Sequence, residues 1–354
     1  MSLKTSSAAG PGEETRRLLR VCSYEDRPIG MDSLILMGES LCRVDPGISL
    51  HLTIPDAPAP VRAWAETRPE VELSTERVEG LSGSELSGWN IKPSLLLQEL
   101  DKGWPEVLWL DSDLIVTRPV STLVRSFPAD HLILAEEWVD HEPIPVAEPW
   151  GLPSARPIPV VNNCFIRVTQ AHRAFLERWK QMLHDLRYRE AQAIPYDQRP
   201  THLLHDGWPL IALLECDEFS RLEYSYIRRD GHIAQCAGSS GYRPVHRIMD
   251  LFRGLPVLIH GLGRKPWESN PNSSGLRHFL LDLATDVSPY VLASRKVANG
   301  LKMNPRWTEA RTLPGRILRG ATNSHPGMAG LPMAVLHSFE MQLQKLSRSK
   351  QKKS

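Results

Sequence analysis

The sequence lacks the features that would place it in several familiar classes of protein. None of its 354 residues belongs to an apolar run near the roughly 18 residues that cross a bilayer, and residues 1–10 have no apolar core of the signal-peptide kind. The five cysteines form no CxxC pair, which disfavours a zinc knuckle, and their odd number disfavours a disulfide framework. We therefore expect a cytoplasmic protein whose cysteines are buried thiols.

The composition is typical of a globular enzyme, but the charge is unevenly distributed. Apolar residues make up 41% of the chain and charged residues 23%, and the length suits one large α/β domain with a small appendage. From residue 300 onward, ten Lys and Arg stand against only Glu309 and Glu340, so this region carries +8 and the rest −7 of a formal total of +1. The two regions are expected to have different partners, and no nucleic-acid partner is expected.

Two carboxylates follow a short apolar run in the segment VLWLDSD, residues 107–113. Ligands of open α/β sheets bind outside the carboxyl ends of the strands, and residues i and i+2 of an extended chain point to the same side. Asp111 and Asp113 can therefore share one cation. Oxygen ligands with open coordination positions suit Mg²⁺ or Mn²⁺, which take further ligands from water and phosphates. Alone, this pattern fits a solvated strand end equally well.

A second apolar strand delivers an imidazole and a lysine in the segment VLIHGLGRKPW, residues 257–267. His260 can add a nitrogen ligand to the metal, and the glycines, Gly263 among them, let backbone N–H groups approach an anion. Lys265 supplies a point charge for a diphosphate. A structural strand followed by a turn would explain Gly and Pro, but not His, Lys and Trp together.

These segments resemble the GT-A glycosyltransferases of the glycogenin and lipopolysaccharide galactosyltransferase type, glycosyltransferase family 8 and its bacterial relatives. The family carries a DxD after an apolar strand and a late HxxGxxKPW motif, which stands here at residues 260–267. Its asparagine-containing strand is similar to residues 160–166, with Asn162 on the asparagine. Its DQDAL helix start is similar to residues 206–210, where Gly207 replaces the glutamine.

The resemblance implies an α/β GT-A fold, with a mixed central sheet flanked by helices, and transfer of a sugar from a nucleotide-diphosphate sugar. The donor would be a UDP-sugar, the cofactor Mn²⁺ or Mg²⁺, the acceptor a glycan, lipid or small molecule, and the configuration retained. Fixed cations would stabilise the leaving diphosphate. The residues expected in the site are Asp111, Asp113 and His260 on the metal, Asp206 and Lys265 in catalysis, and Ser23, Tyr24, Lys92, Ser112, Asn162, Gly263 and Lys265 on the donor.

Several alternatives stay open at this stage. Asp206 could instead cap the helix that follows it. The chain could be a non-catalytic nucleotide-sugar binding protein, because the family's glutamine is replaced by Gly207. A haloacid-dehalogenase phosphatase also places a DxD after an apolar strand, but it wants Thr or Val where this chain has Ile115, and it gives no role to the late motif.

The expected organisation is a disordered segment at 1–17, a GT-A domain at 18–285 and a basic helical extension at 286–354. Helical spacing of Phe175, Trp179, Met182, Leu183 and Leu186 predicts a helix with these residues in the core. A second periodic set lies near the C-terminus, followed by basic residues. The apolar members of this set are Val335, Leu336, Phe339, Leu343 and Leu346. Such a helix either rests on the inner face of an anionic membrane as a peripheral contact or packs on the domain.

Overall fold

The computed structural model of the protein describes residues 19–76, 78, 88–137, 145–154, 158–236, 241–263, 265–268 and 275–351. The segment 1–17, for which disorder is expected, lies outside these residues, as do Arg264 and the last three residues of the chain.

Among these residues, ten strands form two sheets. The larger has the order β3-β2-β1-β4-β7-β6-β8, and the smaller has the order β5-β10-β9. Neighbouring strands are parallel except at the β4/β7, β6/β7 and β5/β10 pairs, so both sheets are mixed. The strands are β1 Leu19–Tyr24, β2 Ser49–Thr53, β3 Val71–Ser74, β4 Glu106–Leu110, β5 Leu114–Val116, β6 Leu132–Glu136, β7 Val161–Thr169, β8 Tyr224–Ile227, β9 Ile233–Gln235 and β10 Leu258–His260.

Twelve α-helices connect and cover these strands within the described residues. They are α1 Met31–Val44, α2 Ala59–Glu66, α3 Lys92–Asp101, α4 Val120–Arg125, α5 Arg173–His184, α6 Leu186–Gln192, α7 Gly207–Glu215, α8 Pro244–Arg253, α9 Leu276–Asp286, α10 Pro289–Leu301, α11 Leu313–Ala321 and α12 Leu331–Gln351. None of the described helices is long and apolar enough to cross a membrane.

Helices cover the larger sheet on both faces. Because side chains alternate along a strand, Val107 and Trp109 of β4 enter one core cluster with α3, α5 and α7, whereas Leu108 and Leu110 enter another with α1 and α2. Burial on both faces explains why this strand reads as a continuous apolar run. The expected α/β architecture, a mixed central sheet flanked by helices, is confirmed.

The smaller sheet places the two motifs together. In the antiparallel pair of β5 and β10, Leu114 lies opposite His260, and the Gly261 N–H donates to the Asp113 carbonyl over 3.0 Å. The residue before β5 therefore meets the residue after β10. Since β5 directly follows the DxD segment, strand pairing alone brings the second aspartate beside the histidine.

Helix α10 packs against β5 and β10 at this junction. Together with α1, β5 and β10 it forms a third core cluster that includes Leu36, Ile115, Ile259 and Tyr290. The ring of Tyr290 lies so close to Gly261 that a Cβ atom at this glycine would meet it at 2.9 Å. Glycine at position 261 is thus required by close approach of an aromatic ring.

The helix predicted through residue 186 ends earlier. Phe175, Trp179, Met182 and Leu183 are buried, as predicted, but Leu186 is 67% exposed. The reason is Asp185, whose extended backbone ends α5 and whose side chain accepts the Arg187 N–H to start α6. The expectation for the cysteines is confirmed, since all five are buried and unpaired.

Candidate metal centre

Asp111, Asp113 and His260 form a cluster that can hold one metal ion. Each offers a ligand atom, and these atoms lie within 4.8 Å of one another. Asp113 and His260 are almost completely buried, while Asp111 is half-buried. Two carboxylate oxygens and one imidazole nitrogen form a ligand set that suits a divalent cation and leaves positions for other ligands. The three ligands predicted from the sequence are therefore brought together.

A hydrogen-bond chain through Gln235 fixes the protonation of His260. The Gln235 Nε2 amide donates to the Glu136 carbonyl over 2.6 Å, so its Oε1 atom faces His260 Nδ1 at 2.8 Å. That oxygen can only accept, so Nδ1 carries a proton. In a neutral imidazole Nε2 then carries a lone pair, and it lies 3.2 Å from Asp113 Oδ1.

This arrangement fits a bound cation. Two acceptor atoms facing each other repel unless a cation or a second ring proton lies between them. An outer partner that holds the histidine ring in the tautomer with a free nitrogen is the usual companion of a metal-ligating histidine. Gln235, which is fully buried, supplies that partner here. The residues present thus fit a divalent metal ion.

Lys265 contacts the carboxylate oxygen of Asp113 that does not face His260. Its Nζ atom forms an ion pair with Asp113 Oδ2 and donates to the Gly261 carbonyl over 2.6 Å. Burial opposes ionisation of Asp113, but the positive charge of Lys265 outweighs it and holds the pKa of this carboxyl below its ordinary value. The second aspartate of the motif therefore stays ionised, as a metal ligand must be.

A second lysine joins Asp111 to Asp206. The Lys92 Nζ atom lies 3.0 Å from Asp111 Oδ1 and 3.4 Å from Asp206 Oδ2, and it donates to the Asn163 carbonyl over 3.2 Å. Burial alone would lower the pKa of Lys92, but Asp111 and Asp206 outweigh burial and raise it. This buried lysine is therefore a fixed positive charge at the edge of the metal cluster.

Asp206 does not cap its helix. Its side chain makes no capping hydrogen bond to α7. Instead, Oδ2 accepts from Asn163 Nδ2 over 2.7 Å, and the Asp206 carbonyl accepts from Trp179 Nε1 over 3.0 Å. The helix-cap alternative is thus wrong, and the carboxylate is held in the same charge network as Asp111.

The ring of His205 lies where a side chain at position 207 would begin. A Cβ atom added to Gly207 would meet His205 Cε1 at 3.0 Å, and the Gly207 N–H donates to His205 Nδ1 over 3.1 Å. His205 Nδ1 also lies 3.8 Å from Asp206 Oδ1. The site therefore has an imidazole next to Asp206, beside the residue at which the sequence departs from the family pattern.

Three of the remaining residues predicted to bind the donor make no described hydrogen bond to the metal cluster. The Ser112 hydroxyl is engaged by Glu25, to whose Oε2 it donates over 2.7 Å. Tyr24 donates to Asp26 over 3.2 Å, and the buried Ser23 hydroxyl contacts no hydrogen-bond partner among the described residues. Ser23 and Tyr24 follow the part of β1 that pairs with β4. They therefore lie towards the same end of the sheet as Asp111, which follows β4.

Asn162 and Gly263 do not contact the three clustered ligands through any described hydrogen bond. The Asn162 Oδ1 atom accepts the Cys164 N–H over 3.0 Å, which shapes the start of β7. Gly263 has a left-handed φ of +69°, and a Cβ atom there would meet open space. Its backbone conformation, more than close packing, favours glycine at this position.

Three residues of the site were not predicted from the sequence. Gln235 orients His260, Asn163 holds Asp206, and Glu25 accepts from Ser112 while pairing with Arg27 at 2.8 Å. Asn163 follows the asparagine that carries the resemblance, and Glu25 directly follows β1. The available signals were that Asn163 is the neighbour of Asn162 and that Glu25 follows the first strand.

No protein-family model and no curated protein matches the chain. Among solved structures, it is similar to the galactosyltransferase LgtC in complex with donor and acceptor sugar analogs, at 14% identity and a TM-score of 0.48 over 82% of this chain and 100% of that one. It is also similar to mouse xyloside xylosyltransferase 1, at 16% identity and a TM-score of 0.43, over 69% and 96% of the two chains.

A third solved structure is a glycosyltransferase involved in glycosylation of the major capsid of PBCV-1. It is 15% identical, with a TM-score of 0.40, over 70% of this chain and 94% of that one. Because these identities and TM-scores are low, the function proposed for this chain rests on its own residues.

Proposed function

We propose that the protein is a metal-dependent glycosyltransferase with a GT-A fold of the family 8 type. It moves a sugar from a nucleotide-diphosphate sugar, with UDP as the expected nucleotide, to a glycan, lipid or small-molecule acceptor, with retention of configuration. The observation that carries the proposal is the convergence of Asp111, Asp113 and His260 with two lysines where the ends of β4 and β10 meet. Ligands for a cation and fixed charges for an anion together suit a metal-bound diphosphate.

In this proposal, Asp111, Asp113 and His260 hold Mn²⁺ or Mg²⁺. When bound, the metal supplies positive charge to the diphosphate as it leaves the sugar. Gln235 keeps His260 Nε2 free to coordinate, since it holds the proton on Nδ1. A nitrogen without a proton is what a metal-ligating histidine must present.

Lys265 pairs with the leaving diphosphate. Its Nζ atom is held by Asp113 and the Gly261 carbonyl in a loop that also carries Gly263, so the lysine lies next to the position of the metal. As negative charge grows on the leaving group, an ammonium already in place stabilises it without reorganisation. Backbone N–H groups of the loop add donors for the phosphate oxygens.

Asp206 faces the sugar. Lys92 and Asn163 hold its carboxylate, and His205 lies beside it. This orientation suits a group that stabilises the positive charge of an oxocarbenium-like sugar while the leaving phosphate assists the acceptor on the same face. Ser23, Tyr24, Ser112 and Asn162 are the proposed lining of the nucleoside part of the donor pocket.

The first experiment is a thermal-shift screen of nucleotide diphosphates and nucleotide sugars, with and without Mn²⁺, followed by assays of donor hydrolysis and transfer. We expect UDP and one UDP-sugar to raise the melting temperature only when Mn²⁺ is present. Asp113→Asn should lower turnover at least about 10²-fold, by analogy with removing one preorganised electrostatic group. The exposed Asp217→Asn is the control and should keep normal activity.

The outcomes separate the alternatives. Near-normal Mn²⁺-dependent turnover by the Asp113→Asn variant would rule out the proposed metal centre. Mn²⁺-dependent binding of a UDP-sugar without hydrolysis or transfer by the wild type would indicate a binding protein. Phosphate release from a simple phosphomonoester, with no response to nucleotide sugars, would indicate a DxD phosphatase. A cytoplasmic location is proposed with the reaction.

A further inference from the structure

Helix α8 is amphipathic, and its apolar side faces outward. The side chains of Val245, Ile248, Leu251 and Phe252 are exposed, and Phe252 is 85% exposed. On the opposite side, Arg247 and Asp250 are buried. A helix of a globular domain normally buries its apolar stripe and exposes its charges. In α8 this arrangement is inverted, so its outer face suits contact with an apolar partner.

Specific hydrogen bonds hold α8 in this orientation. Arg247 Nε donates to the Tyr242 carbonyl over 2.8 Å, and its NH1 group donates to the Gly327 carbonyl over 3.0 Å. Tyr242 donates to Asp250 Oδ2 over 2.6 Å. Turning the helix over would break these hydrogen bonds and leave the Tyr242 and Gly327 carbonyls without the donor that Arg247 supplies. The outward apolar face is therefore a fixed feature.

The first turns of α12 pack against α8 and extend the same kind of surface. Ala334 is buried and anchors α12, whereas Leu336 and Phe339 are 69% and 62% exposed. The alternative in which these side chains belong to the core is wrong for Leu336 and Phe339. Val335, which is 37% exposed, is partly covered. Leu343 and Leu346 lie where side chains are not described.

A separate helix repeats the inversion. In α11, Leu313 and Ile317 are exposed, while Arg319 is buried and donates to the Asp286 and Thr308 carbonyls. The outward apolar side chains of α8 are thus not the only case of this arrangement among the described helices.

We propose that the outer face of α8, continued by Leu336 and Phe339 of α12, docks on an anionic lipid bilayer. The charges around it identify the partner. Arg243 and Arg253 are exposed at the two ends of α8, and five Lys and Arg with no acid lie between residues 345 and 353. Apolar side chains flanked by basic ones bind the boundary between lipid headgroups and acyl chains.

The same charges disfavour a second copy of the chain as the partner. Two such faces placed together would juxtapose arginines with arginines, and like charges across an interface oppose association. This inference does not depend on the reaction proposed above, because none of its residues lies in the metal centre.

The test is cosedimentation of the full chain with vesicles of phosphatidylcholine alone and with vesicles that also contain phosphatidylglycerol, an anionic lipid. We expect binding to the anionic vesicles only, weakened by high salt. The double variant Ile248→Glu, Phe252→Glu should bind at least about 10-fold more weakly, because charge replaces inserted apolar area. The matched control is Leu186→Glu, an equally exposed leucine on α6, which should bind like the wild type.

Two further arms keep the test decisive. A chain ending at Gln342 keeps the apolar face but loses the basic tail, and it should lose most of the preference for anionic vesicles. If the double variant is unfolded, the single variant Phe252→Ser replaces it, with a smaller loss expected. Absence of wild-type binding to anionic vesicles would overturn the proposal. So would equal binding by the α8 variants, or a solution dimer that the α8 variants convert to monomer.

Discussion

Replacing Gln235 with Leu should weaken metal binding without touching a metal ligand. Gln235 Oε1 accepts the Nδ1 proton of His260, and leucine removes that acceptor while nearly keeping the volume. The imidazole can then rotate or exchange tautomers, so Nε2 is no longer held towards the metal. Loss of such an outer partner typically costs about 10- to 100-fold in metal affinity, which corresponds to about 1.4 to 2.7 kcal/mol of binding free energy.

The same change also affects folding. Gln235 Nε2 donates to the Glu136 carbonyl over 2.6 Å, and this carbonyl would lose its partner. An unpaired buried carbonyl costs about 1 to 3 kcal/mol of unfolding free energy. Metal affinity is therefore measured by isothermal titration with Mn²⁺ on folded protein, alongside urea unfolding of the metal-free protein.

Ser40→Ala is the matched control. The Ser40 hydroxyl accepts the Val116 N–H over 2.9 Å and donates to the Met37 carbonyl over 2.7 Å, so alanine also leaves buried backbone groups without a partner. It should lower stability by a similar amount and leave Mn²⁺ affinity unchanged. Wild-type affinity in a folded Gln235→Leu variant would refute the tautomer argument, as would an equal loss of affinity in the control.

Two further predictions concern the diphosphate and acid stability. Lys265→Ala should weaken binding of UDP more than binding of uridine, because the lysine meets phosphate and not base; equal losses in calorimetry would exclude that role. Burial, followed by the charge of Arg167, lowers the pKa of His172 to about 4, against an ordinary 6.5. The folded state thus binds fewer protons, and stability falls as pH drops through 6.5 towards 4, by about 2 kcal/mol at pH 5. His172→Asn, which offers an acceptor for the Thr169 N–H, should remove most of that pH dependence in urea unfolding; an unchanged slope would contradict the assignment.

The sequence was sufficient where a functional residue directly follows an apolar strand. Asp111, Asp113 and His260 could be identified because apolar runs end just before them, and ligands of α/β proteins bind outside the carboxyl ends of strands. Lys265 was predicted from the glycine-containing loop after the second apolar strand, and Lys92 from the resemblance. Both lie against the clustered carboxylates.

Other residues gave no such signal. Gln235 ends a strand of three residues, and no pattern in the sequence links it to a histidine 25 positions later. Leu186 continued a regular apolar spacing across Asp185, whose capping side chain ends one helix and begins another. In α8, which side of the helix is buried depends on the Gly327 carbonyl that pairs with Arg247, and Gly327 is 80 residues away in the chain.

The contact between Gly261 and the Tyr290 ring limits how this enzyme architecture could be recombined. Tyr290 stacks on Trp307 at a ring distance of 5.9 Å, so the loop after His260 rests on aromatic side chains from the C-terminal region. A chimera that joined residues 18–285 to the C-terminal helices of another protein would replace this support. Any exchange of the C-terminal part would therefore have to keep Tyr290 and Trp307 unchanged.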